Sequence, residues 1–534
     1  MKTIKILGVF GTLACVMCLG QAFLSSSSAQ APASSAQSNP VAKISTGQLS
    51  GTVTPDGVGV FKNIPFAQPP IGDLRWREPV PAKSWTGVRD ASAFGPACSQ
   101  SGHLNSTSSE DCLQLNVWTP TWPMKSQAPV LVWFHGGGNT AGSGVEPLFN
   151  GESFARHGVV LVTSNYRLGV FGFFAHPELT KESSHHSSGN YGLLDQLQAL
   201  RWVQQNIARF GGNPANVAII GESAGAADVN TLIASPLAKG LFVRVIAESG
   251  PAGVQTPLAD AEQRNVKFAE SLSATGDQAL AKLRAMSGAE LLSKAEVQRG
   301  AAGPMVGIVV DGWVVPEAPT KIYAEGREQK VALLIGNNSQ EMQGGRGGRG
   351  PATAADLSDL ISQRFGPLTV RARALYGLND GTDPKPDPEI GNVLTQWTTD
   401  STFRCGTVQE LVWHTTAGNT GYEYQFSRTM HGKEALGAAH ASEIPFVFGT
   451  LAVWQQTHNY NDSDHKYATM MEAYWSNFAK TGNPNGAGLV DWPSFDPEAR
   501  GYIDFTDAGP VVKEGLRRDV CSLFTENQER LMAH

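Results

Sequence analysis

The chain has 534 residues, 41% of them hydrophobic and 17% charged, which is an ordinary balance for a globular protein. Its 41 basic and 48 acidic residues give a net charge of −7 and no long basic patch is present, so the composition argues against nucleic-acid binding. No linker, charge block or repeat divides the chain after residue 40. We therefore expect one large α/β domain over residues 41–534, although this exceeds the usual length of a domain.

The first 40 residues have the pattern of a targeting segment. Two lysines precede an apolar run over residues 6–19, and small and polar residues follow. A small-x-small site at Ser27-Ser28-Ala29 predicts a cleavable signal peptide over residues 1–29 and a disordered leader over residues 30–40. A retained membrane anchor is the alternative, but Gly, Thr and Gln dilute the apolar run. We expect an exported protein, periplasmic or secreted, without stable membrane insertion after the signal is removed.

Four cysteines remain once the signal peptide is removed: Cys98, Cys112, Cys405 and Cys521. An even number of cysteines in an exported chain predicts two disulfide bonds. Four cysteines allow three pairings. A bond between Cys98 and Cys112 would close a short local loop, and Cys405 and Cys521 would then tie a late segment to the C-terminus.

The predicted elements alternate along the chain. Residues 44–61 alternate apolar and polar side chains around Pro55-Asp56-Gly57, which predicts a β-hairpin, and a proline-rich arm follows. Apolar runs predict strands at 113–118, 129–134, 159–164, 217–220, 242–247, 331–335 and 422–426. Helical patterns cover 193–210, 260–300 and 467–480. Strands that alternate with helices indicate a sheet with a parallel core and helices on both faces.

The sequence Gly221-Glu222-Ser223-Ala224-Gly225 directly follows a predicted strand. Gly-x-Ser-x-Gly between a strand and a helix predicts a nucleophile elbow, a sharp turn that presents the serine hydroxyl above the sheet. Glycine is needed at both ends because neighbouring backbone crowds these positions. The turn also aims the N–H of Ala224 at the same place, at the start of a helix whose dipole favours negative charge. We therefore predict Ser223 as the nucleophile that attacks an ester carbonyl.

The sequence His135-Gly136-Gly137-Gly138 follows the predicted strand at 129–134. Glycines let the backbone N–H groups of Gly137 and Gly138 approach a carbonyl oxygen, so this segment predicts the donors of an oxyanion hole. A plain flexible turn is the alternative, and the elbow later in the chain argues against it.

A serine hydroxyl needs a base that is itself oriented by a carboxylate. In chains with this elbow the acid and the histidine follow the serine, in that order. We predict His440 as the base because small residues before it leave room for its ring to reach the elbow. Glu341 follows a strand end directly and is the preferred acid, with Asp311 as its rival. Polar surroundings predict a surface position for four other histidines: His414, His431, His458 and His465.

Two loops carry residues that also occur in binding sites. His185 and His186 lie in a polar, serine-rich loop, where we expect solvated side chains and no metal site. The Gly/Arg run over residues 344–350 is typical of a mobile loop. Because it lies close to Glu341 in the sequence, an alternative hypothesis is that Arg346 and Arg349 meet carboxylate-bearing substrates at the mouth of the site.

These residues together resemble the type-B carboxylesterase family of α/β-hydrolases, which includes cholinesterases and bacterial p-nitrobenzyl esterases. The resemblance runs from about residue 41 to about residue 525. It rests on motifs that occur in a fixed order: Phe61–Pro70 with Arg75, Glu110–Leu113, His135–Gly138, Asn165–Arg167, Gly189–Gln196, Gly221–Gly225 and His440–Gly449.

The resemblance implies an α/β-hydrolase fold with a large, mostly parallel twisted sheet, helices on both faces and helical insertions over an active-site gorge. It implies hydrolysis of small-molecule carboxylic esters without a cofactor, with Ser223 as nucleophile, Glu341 as acid and His440 as base. The further residues that it implies are the oxyanion donors Gly137, Gly138 and Ala224, and the buried polar neighbours Glu222 and Ser249. The pairs that it implies are Cys98 with Cys112, Cys405 with Cys521, Arg75 with Glu110, and Arg167 with Asp195.

The chain departs from the family in two places. The loop between Cys98 and Cys112, residues 99–111, has 13 residues and no tryptophan, whereas cholinesterases carry their choline-binding tryptophan in a longer loop. A cationic choline site is therefore not expected. Asn139 replaces the usual aromatic or small residue after the glycines, which predicts a more polar acyl pocket.

Two alternative functions remain. Within the esterases, the substrate class would be bulky or polyacid esters of the feruloyl or tricarballylate type. Outside the enzymes, the chain would be a non-catalytic binding protein like the adhesion members of the family. Those members usually lose a residue of the triad, and all three are present here.

Overall fold

The computed structural model of the protein describes residues 39–532, apart from residues 103–106, 124–126, 254, 299–302, 343–350, 380–382 and 433. The predicted signal peptide and Arg346 and Arg349 therefore lie outside the described residues. The chain from Asn39 onward is one compact unit. Within the described ranges, none of the helices combines the length and the apolar composition that crossing a bilayer requires.

One large sheet organises the protein. The strands of the described chain are β1 (Val41–Ile44), β2 (Gly47–Ser50), β3 (Thr52–Val53), β4 (Gly59–Pro65), β5 (Val88–Asp90), β6 (Ala97–Cys98), β7 (Ser108–Ser109), β8 (Gln114–Thr119), β9 (Ala128–Phe134), β10 (Val160–Ser164), β11 (Gly212–Glu222), β12 (Arg244–Glu248), β13 (Thr256–Pro257), β14 (Val309–Val310), β15 (Ala332–Asn338), β16 (Gly421–Phe426), β17 (Gly501–Thr506) and β18 (Gly509–Glu514). Eleven of these strands form one sheet in the order β18-β17-β16-β15-β12-β11-β9-β10-β8-β4-β3. A three-stranded sheet, β1-β2-β5, and the pairs β13-β14 and β6-β7 lie apart from it.

The centre of the large sheet is parallel. The strands β10, β9, β11, β12, β15, β16 and β17 all run in one direction. Antiparallel pairing is confined to the edges, where β8, β4 and β3 lie on one side and β18 on the other. The carboxyl ends of parallel strands share one edge of a sheet, so the segments that follow β9, β11 and β15 meet there.

Helices supply the crossover connections. They are α1 (Glu152–Arg156), α2 (Gly169–Gly172), α3 (Pro177–Glu182), α4 (Tyr191–Asn206), α5 (Ala224–Ala234), α6 (Leu258–Ser271), α7 (Ala279–Ala285), α8 (Gly288–Val297), α9 (Pro319–Ala324), α10 (Ala354–Phe365), α11 (Thr369–Leu375), α12 (Val393–Thr399), α13 (Cys405–Thr416), α14 (Ile444–Val447), α15 (Leu451–His458), α16 (Asp462–Thr481) and α17 (Arg518–Met532).

Side chains of β11 show why both faces of the sheet are covered. Val217 and Ile219 pack into the same buried cluster as the apolar residues of α4 and α5. Ala218 and Ile220 point the other way, into a second cluster that contains Trp475 of α16. Because successive side chains of a strand face opposite sides, a strand that packs into apolar clusters on both faces is apolar along this stretch. The expected parallel sheet between two layers of helices is thus confirmed.

Most of the predicted elements are present. The predicted hairpin at 44–61 contains the antiparallel pair β3-β4. The other predicted strands fall on β8, β9, β10, β11, β12, β15 and β16. The helix predicted at 193–210 is α4 followed by a 3₁₀ turn, and Gly211 ends it with a left-handed φ of 78°. Two strands that extend the sheet at one edge, β17 and β18, were not among the predicted elements.

The predicted covalent and ionic pairs are confirmed. Disulfide bonds join Cys98 to Cys112 and Cys405 to Cys521. Nitrogen-to-oxygen distances of 2.7 Å separate Arg75 from Glu110, and Arg167 from Asp195. Both ion pairs are largely buried, and such pairs contribute more to a unique arrangement of the chain than to net stability.

Candidate active site

The turn from β11 into α5 is a strained elbow. Ser223 has a φ of 56° and a ψ of −121°, a conformation that residues with a side chain rarely adopt. A Cβ atom at Gly221 would lie 2.2 Å from the carbonyl oxygen of Gly225, and one at Gly225 would lie 2.1 Å from that of Phe134. Both distances are far below van der Waals contact, so only glycine fits at the two flanking positions.

His440 lies within hydrogen-bond distance of both other residues of the predicted triad. His440 Nε2 is 2.8 Å from Ser223 Oγ, and His440 Nδ1 is 2.6 Å from Glu341 Oε2. The backbone N–H of His440 also donates to the carbonyl oxygen of Glu341, at 2.9 Å. These distances are those at which an imidazole can take a proton from a hydroxyl while a carboxylate fixes its tautomer.

The carboxylate of Glu341 is held by two further donors. The Ser249 hydroxyl donates to its Oε1 at 2.5 Å, and the backbone N–H of Asn338 donates to the same oxygen at 2.7 Å. The side chain of Glu341 is fully buried. One oxygen is thus bound to the scaffold and the other faces His440, which fixes the orientation of the carboxylate.

The rival acid is bound elsewhere. Asp311 accepts hydrogen bonds from the backbone N–H groups of Trp313 and Val315 through one oxygen. Its other oxygen accepts from the Ser187 hydroxyl at 2.6 Å. Asp311 therefore stabilises a loop of its own, and Glu341 is the carboxylate at His440 Nδ1.

A second carboxylate lies beside the imidazole. Glu222 Oε1 is 3.1 Å from His440 Nε2. Burial raises the pKa of Glu222, with a further rise from Glu341 that His440 opposes. Burial by itself lowers the pKa of His440, but Glu222 and Glu341 outweigh it, so the pKa of His440 is raised. The two carboxylates therefore stabilise the imidazolium, the form that His440 takes when it accepts the serine proton.

The glycine loop after β9 has hydrogen-bonded carbonyl groups. Gly137 and Gly138 have φ angles of 106° and 64°. The carbonyl oxygen of Gly136 lies 2.8 Å from His135 Nδ1, and that of Gly137 accepts from two backbone N–H groups of the next turn. Burial lowers the pKa of His135 to about 4, so its ring is neutral near neutral pH.

Because a trans peptide points its C=O and N–H in opposite directions, the N–H groups of Gly137 and Gly138 point away from the partners of those two carbonyl oxygens. Within the described ranges, the N–H groups of Gly137, Gly138 and Ala224 have no hydrogen-bond acceptor. Three unpaired donors are thus carried by the two segments that meet at Ser223, where an oxyanion would form.

Asn139 does not serve the role that the sequence predicts for it. Its Nδ2 donates to Asp228 Oδ1 at 2.9 Å, and its Oδ1 lies 3.1 Å from the Tyr166 hydroxyl. Both partners are fully buried. These contacts hold the amide in the interior of the protein, so Asn139 is not a source of the acyl-pocket polarity that the sequence predicts.

One of the four histidines predicted at the surface is buried. His414 is fully buried on α13, with Nδ1 at 3.1 Å from Glu328 Oε1 and Nε2 at 3.0 Å from the carbonyl oxygen of Val331. The polar residues around His414 in the sequence led to the prediction of a surface position, but α13 packs against β15 and β16. His431 and His465 are exposed, as predicted.

Two of the other histidines, His458 and His185, stack on a tryptophan. His458 is half-buried, with its ring centroid 4.9 Å from that of Trp454. In the serine-rich loop His185 and His186 are exposed, and His185 stacks on Trp313 at 3.8 Å. The described residues hold no cluster of metal-ligating side chains.

The sequence analysis missed an aromatic neighbour of the imidazole. Phe403 lies on a π-helical turn, Asp400–Arg404, and its ring centroid is 4.9 Å from that of His440. Arg404 of the same turn donates to the carbonyl oxygen of Ser339 at 2.8 Å, just before Glu341. No motif marks Phe403, because a π-helical turn arises from packing and not from a local sequence pattern.

Residues 38–524 match the family model described as the carboxylesterase family. The chain belongs to the carboxylesterase family. It is accordingly a carboxylic ester hydrolase, and the solved structures that it resembles share its large mixed sheet with helices on both faces, the α/β-hydrolase fold.

Named relatives share about a third of their residues with this chain. The para-nitrobenzyl esterase of Bacillus subtilis is 36% identical, over 85% of this chain and 92% of its own length. The fumonisin B1 esterase of Sphingopyxis macrogoltabida is 35% identical, over 84% of this chain and 83% of its own length. A solved carboxylesterase of Geobacillus stearothermophilus has a TM-score of 0.79 and 33% identity, over 92% of this chain and 99% of that one.

Proposed function

We propose that the protein hydrolyses its esters through a Ser223–His440–Glu341 triad and an acyl-enzyme intermediate. The observation that carries the proposal is the continuous hydrogen-bond path from Ser223 Oγ through the imidazole to Glu341, at 2.8 and 2.6 Å. His440 takes the serine proton as Oγ attacks the ester carbonyl, and then donates it to the leaving alcohol. Water repeats the two steps and releases the acid.

The N–H groups of Gly137, Gly138 and Ala224 bind the oxygen that becomes negative in the tetrahedral intermediate. Their lack of an acceptor in the described residues supports this role. The first helical turn of α5 adds its positive dipole end at the same place. Loss of one such donor typically lowers kcat by about 10²–10³-fold.

Glu222 and Ser249 support the triad without taking part in bond formation. Glu222 lies 3.1 Å from His440 Nε2 and stabilises the imidazolium. Ser249 donates to the carboxylate oxygen of Glu341 that does not face His440, and thereby fixes its rotamer. Neither the steps nor the supporting contacts call for a metal or an organic cofactor.

Hydrolysis of p-nitrophenyl acetate by purified Ser223→Ala tests the proposal. We expect kcat to fall by at least about 10⁴-fold while the circular dichroism spectrum and the melting temperature stay at the wild-type values. Ser476→Ala is a matched control, because Ser476 is a buried serine on α16 outside the site. A Ser223→Ala enzyme that keeps most of its activity would remove the triad assignment.

A second candidate is an esterase for bulky or polyacid esters, such as feruloyl or tricarballylate esters. The similarity to a relative named as a fumonisin B1 esterase supports a specialised ester as the substrate. The arginines that we propose to meet substrate carboxylates, Arg346 and Arg349, lie outside the described residues.

Kinetics on paired neutral and carboxylate-bearing esters test this candidate. We expect Arg346→Ala with Arg349→Ala to lower kcat/KM for the acidic esters alone. A control double variant, Arg327→Ala with Arg371→Ala, removes two exposed arginines elsewhere and is expected to change neither class. Equal losses on both ester classes, or no loss, would reject the candidate.

We infer further that the protein is exported and that residues 1–29 are its cleaved signal peptide. The two disulfide bonds support an oxidising compartment. N-terminal sequencing of the protein recovered from the periplasm or the medium is expected to start after Ala29. Recovery only from the cytoplasm, with Met1 or Lys2 at the N-terminus, would contradict the inference.

A further inference from the structure

A buried polar network lies beneath the oxyanion loop, the segment His135–Asn139. At its centre is Asp228 of α5, which is fully buried. Its Oδ1 accepts from Asn139 Nδ2 at 2.9 Å and its Oδ2 accepts from Gln196 Nε2 of α4 at 2.5 Å. One carboxylate therefore joins three parts of the chain that are distant in sequence: the oxyanion loop, α4, and α5, the helix that follows the nucleophile elbow and is called the elbow helix below.

Asn139 has polar contacts at its backbone oxygen and at both polar atoms of its side chain. Its backbone oxygen accepts from the N–H of Gly169 at 2.7 Å. The Tyr166 hydroxyl lies 3.1 Å from Asn139 Oδ1 and donates to the carbonyl oxygen of His135 at 2.7 Å. The φ of Asn139 is 56°, a left-handed conformation that asparagine tolerates better than most residues. Both ends of the oxyanion loop are thus fixed to one tyrosine, and its last residue is fixed to the elbow helix.

The oxyanion hole requires that donors from two different segments of the chain be held at fixed relative positions. Two of the three oxyanion donors belong to the loop, Gly137 and Gly138, whereas the third, Ala224, is the first residue of α5. All three must point at one oxygen, at about 3 Å, for the hole to work. Asp228 lies one helical turn beyond Ala224 on the same helix, so its bond to Asn139 sets the distance between the two donor segments.

We propose that Asn139 and Asp228 are positioning residues that hold the oxyanion loop in register with the elbow helix. The proposal rests on the proposed function of the N–H groups at 137, 138 and 224. Neither side chain touches the substrate. They act on the reaction by fixing where two of the three donors stand relative to the third.

The chemistry around Asp228 agrees with a role beyond stability. Within the described ranges no lysine, arginine or histidine forms an ion pair with Asp228, and its only polar partners are the two amides. Burial raises its pKa to about 7, against the lowering effect of those hydrogen bonds. A carboxylic acid that is buried without a counter-charge lowers the stability of the folded protein. An apolar residue at position 228 would avoid this cost, but it would leave the amide of Asn139 without a hydrogen-bond partner.

The side-chain oxygen of Gln196 indicates how the network would accommodate an uncharged amide in place of the Asp228 carboxylate. Its Oε1 has no hydrogen-bond partner among the described residues. An asparagine at position 228 would still accept the hydrogen bond from Asn139 through its amide oxygen. Its amide nitrogen would donate to Gln196 Oε1 after the Gln196 amide has rotated by a half turn. The conservative variant Asp228→Asn therefore preserves the geometry, whereas Asp228→Ala destroys it.

Steady-state hydrolysis of p-nitrophenyl acetate by a set of variants tests the proposal. Asn139→Gly removes the side chain without straining the left-handed backbone, and Asp228→Ala removes its partner. We expect each to lower kcat at least about 10-fold with little change in KM, because misplaced donors act on the transition state. The double variant is expected to be no slower than the slower single one, because the two changes break one connection.

Two comparisons separate positioning from general destabilisation. Asp228→Asn is expected to recover at least about 10-fold in kcat over Asp228→Ala. The matched control Asn206→Ala removes a buried asparagine that binds Ser45 at the C-terminal end of α4, at the opposite edge of the sheet. The kcat of Asn206→Ala is expected to stay at the wild-type value even if the melting temperature of this variant falls.

The outcomes distinguish this inference from the proposed function. Wild-type enzyme without esterase activity, or a fully active Ser223→Ala, would remove the proposed function itself. An active wild type in which Asn139→Gly and Asp228→Ala keep wild-type kcat would overturn the positioning role alone. Losses in kcat that are strictly multiplicative in the double variant, or that Asp228→Asn does not relieve, would overturn it as well.

Discussion

Replacement of Glu222 by glutamine is expected to move the pH dependence of the enzyme toward acid. Glu222 Oε1 lies 3.1 Å from His440 Nε2, and it is the first of the carboxylates that raise the pKa of His440. The neutral imidazole is the general base, so the acidic limb of kcat/KM reports the loss of the proton from the coupled His440–Glu222 pair. A glutamine removes the negative charge, which lowers the pKa of His440 and lets the active form persist to lower pH.

The size of the effect follows from the distance. A charge of opposite sign within about 4–6 Å changes a pKa by about 1–3 units, so the acidic midpoint is expected to fall by about that amount. The same interaction stabilises the imidazolium that forms in the transition state. Each unit of pKa is worth about 1.4 kcal/mol of that stabilisation, so kcat at the pH optimum is expected to fall up to about 10-fold for each unit that the midpoint moves.

The measurement is kcat/KM for p-nitrophenyl acetate over about pH 4 to 9, with wild type and Glu222→Gln in parallel. Glu423→Gln is a matched control, because Glu423 is a buried carboxylate on β16 whose pKa burial raises to about 8 and which is not among the groups that act on His440. The control is expected to keep the wild-type midpoint. A Glu222→Gln midpoint that stays in place or moves upward would refute the reasoning.

Two further predictions concern the scaffold. Gly225→Ala is expected to abolish activity, because the added Cβ would lie 2.1 Å from the carbonyl oxygen of Phe134 and must displace the elbow from the oxyanion loop; an active, normally folded variant would show that the elbow tolerates a side chain. Replacement of Cys405 and Cys521 by serine is expected to lower the free energy of unfolding by about 4–5 kcal/mol, because their bond closes a loop with a sequence separation of 116. Urea denaturation measures this change, and a loss below about 1 kcal/mol would contradict the loop-closure argument.

The sequence predicts best the parts of the site that are local. The elbow at Ser223 and the glycines before Asn139 are contiguous motifs whose residue types follow from crowding and from φ angles, so no tertiary information is needed. The central strands were equally clear, because strands that pack into apolar clusters on both faces are apolar along that stretch. By contrast β17 and β18 were not predicted: β17 is buried but its apolar run is interrupted by Asp504, which pairs with Lys513, and β18 is largely exposed.

The parts that depend on distant contacts could not be predicted from local pattern alone. Glu341 and Asp311 both follow apolar runs, and only the packing of β12 beside β15 places Ser249 against one of them. His414 has polar neighbours along the chain, but it lies on α13, which packs against β15 and β16, and no local pattern indicates this burial. Asn139 could be noted as unusual, but its partner Asp228 is 89 residues away, on another element.

Covalent labelling by a fluorophosphonate probe, followed by mass spectrometry of the peptides, tests the central claim most directly. A serine that is activated by His440 and faces an oxyanion hole reacts with such a probe, whereas an ordinary serine does not. We expect one adduct per chain, on Ser223, and no adduct on Ser223→Ala. A folded wild-type protein that stays unlabelled, or that carries its adduct on another serine, would contradict the account.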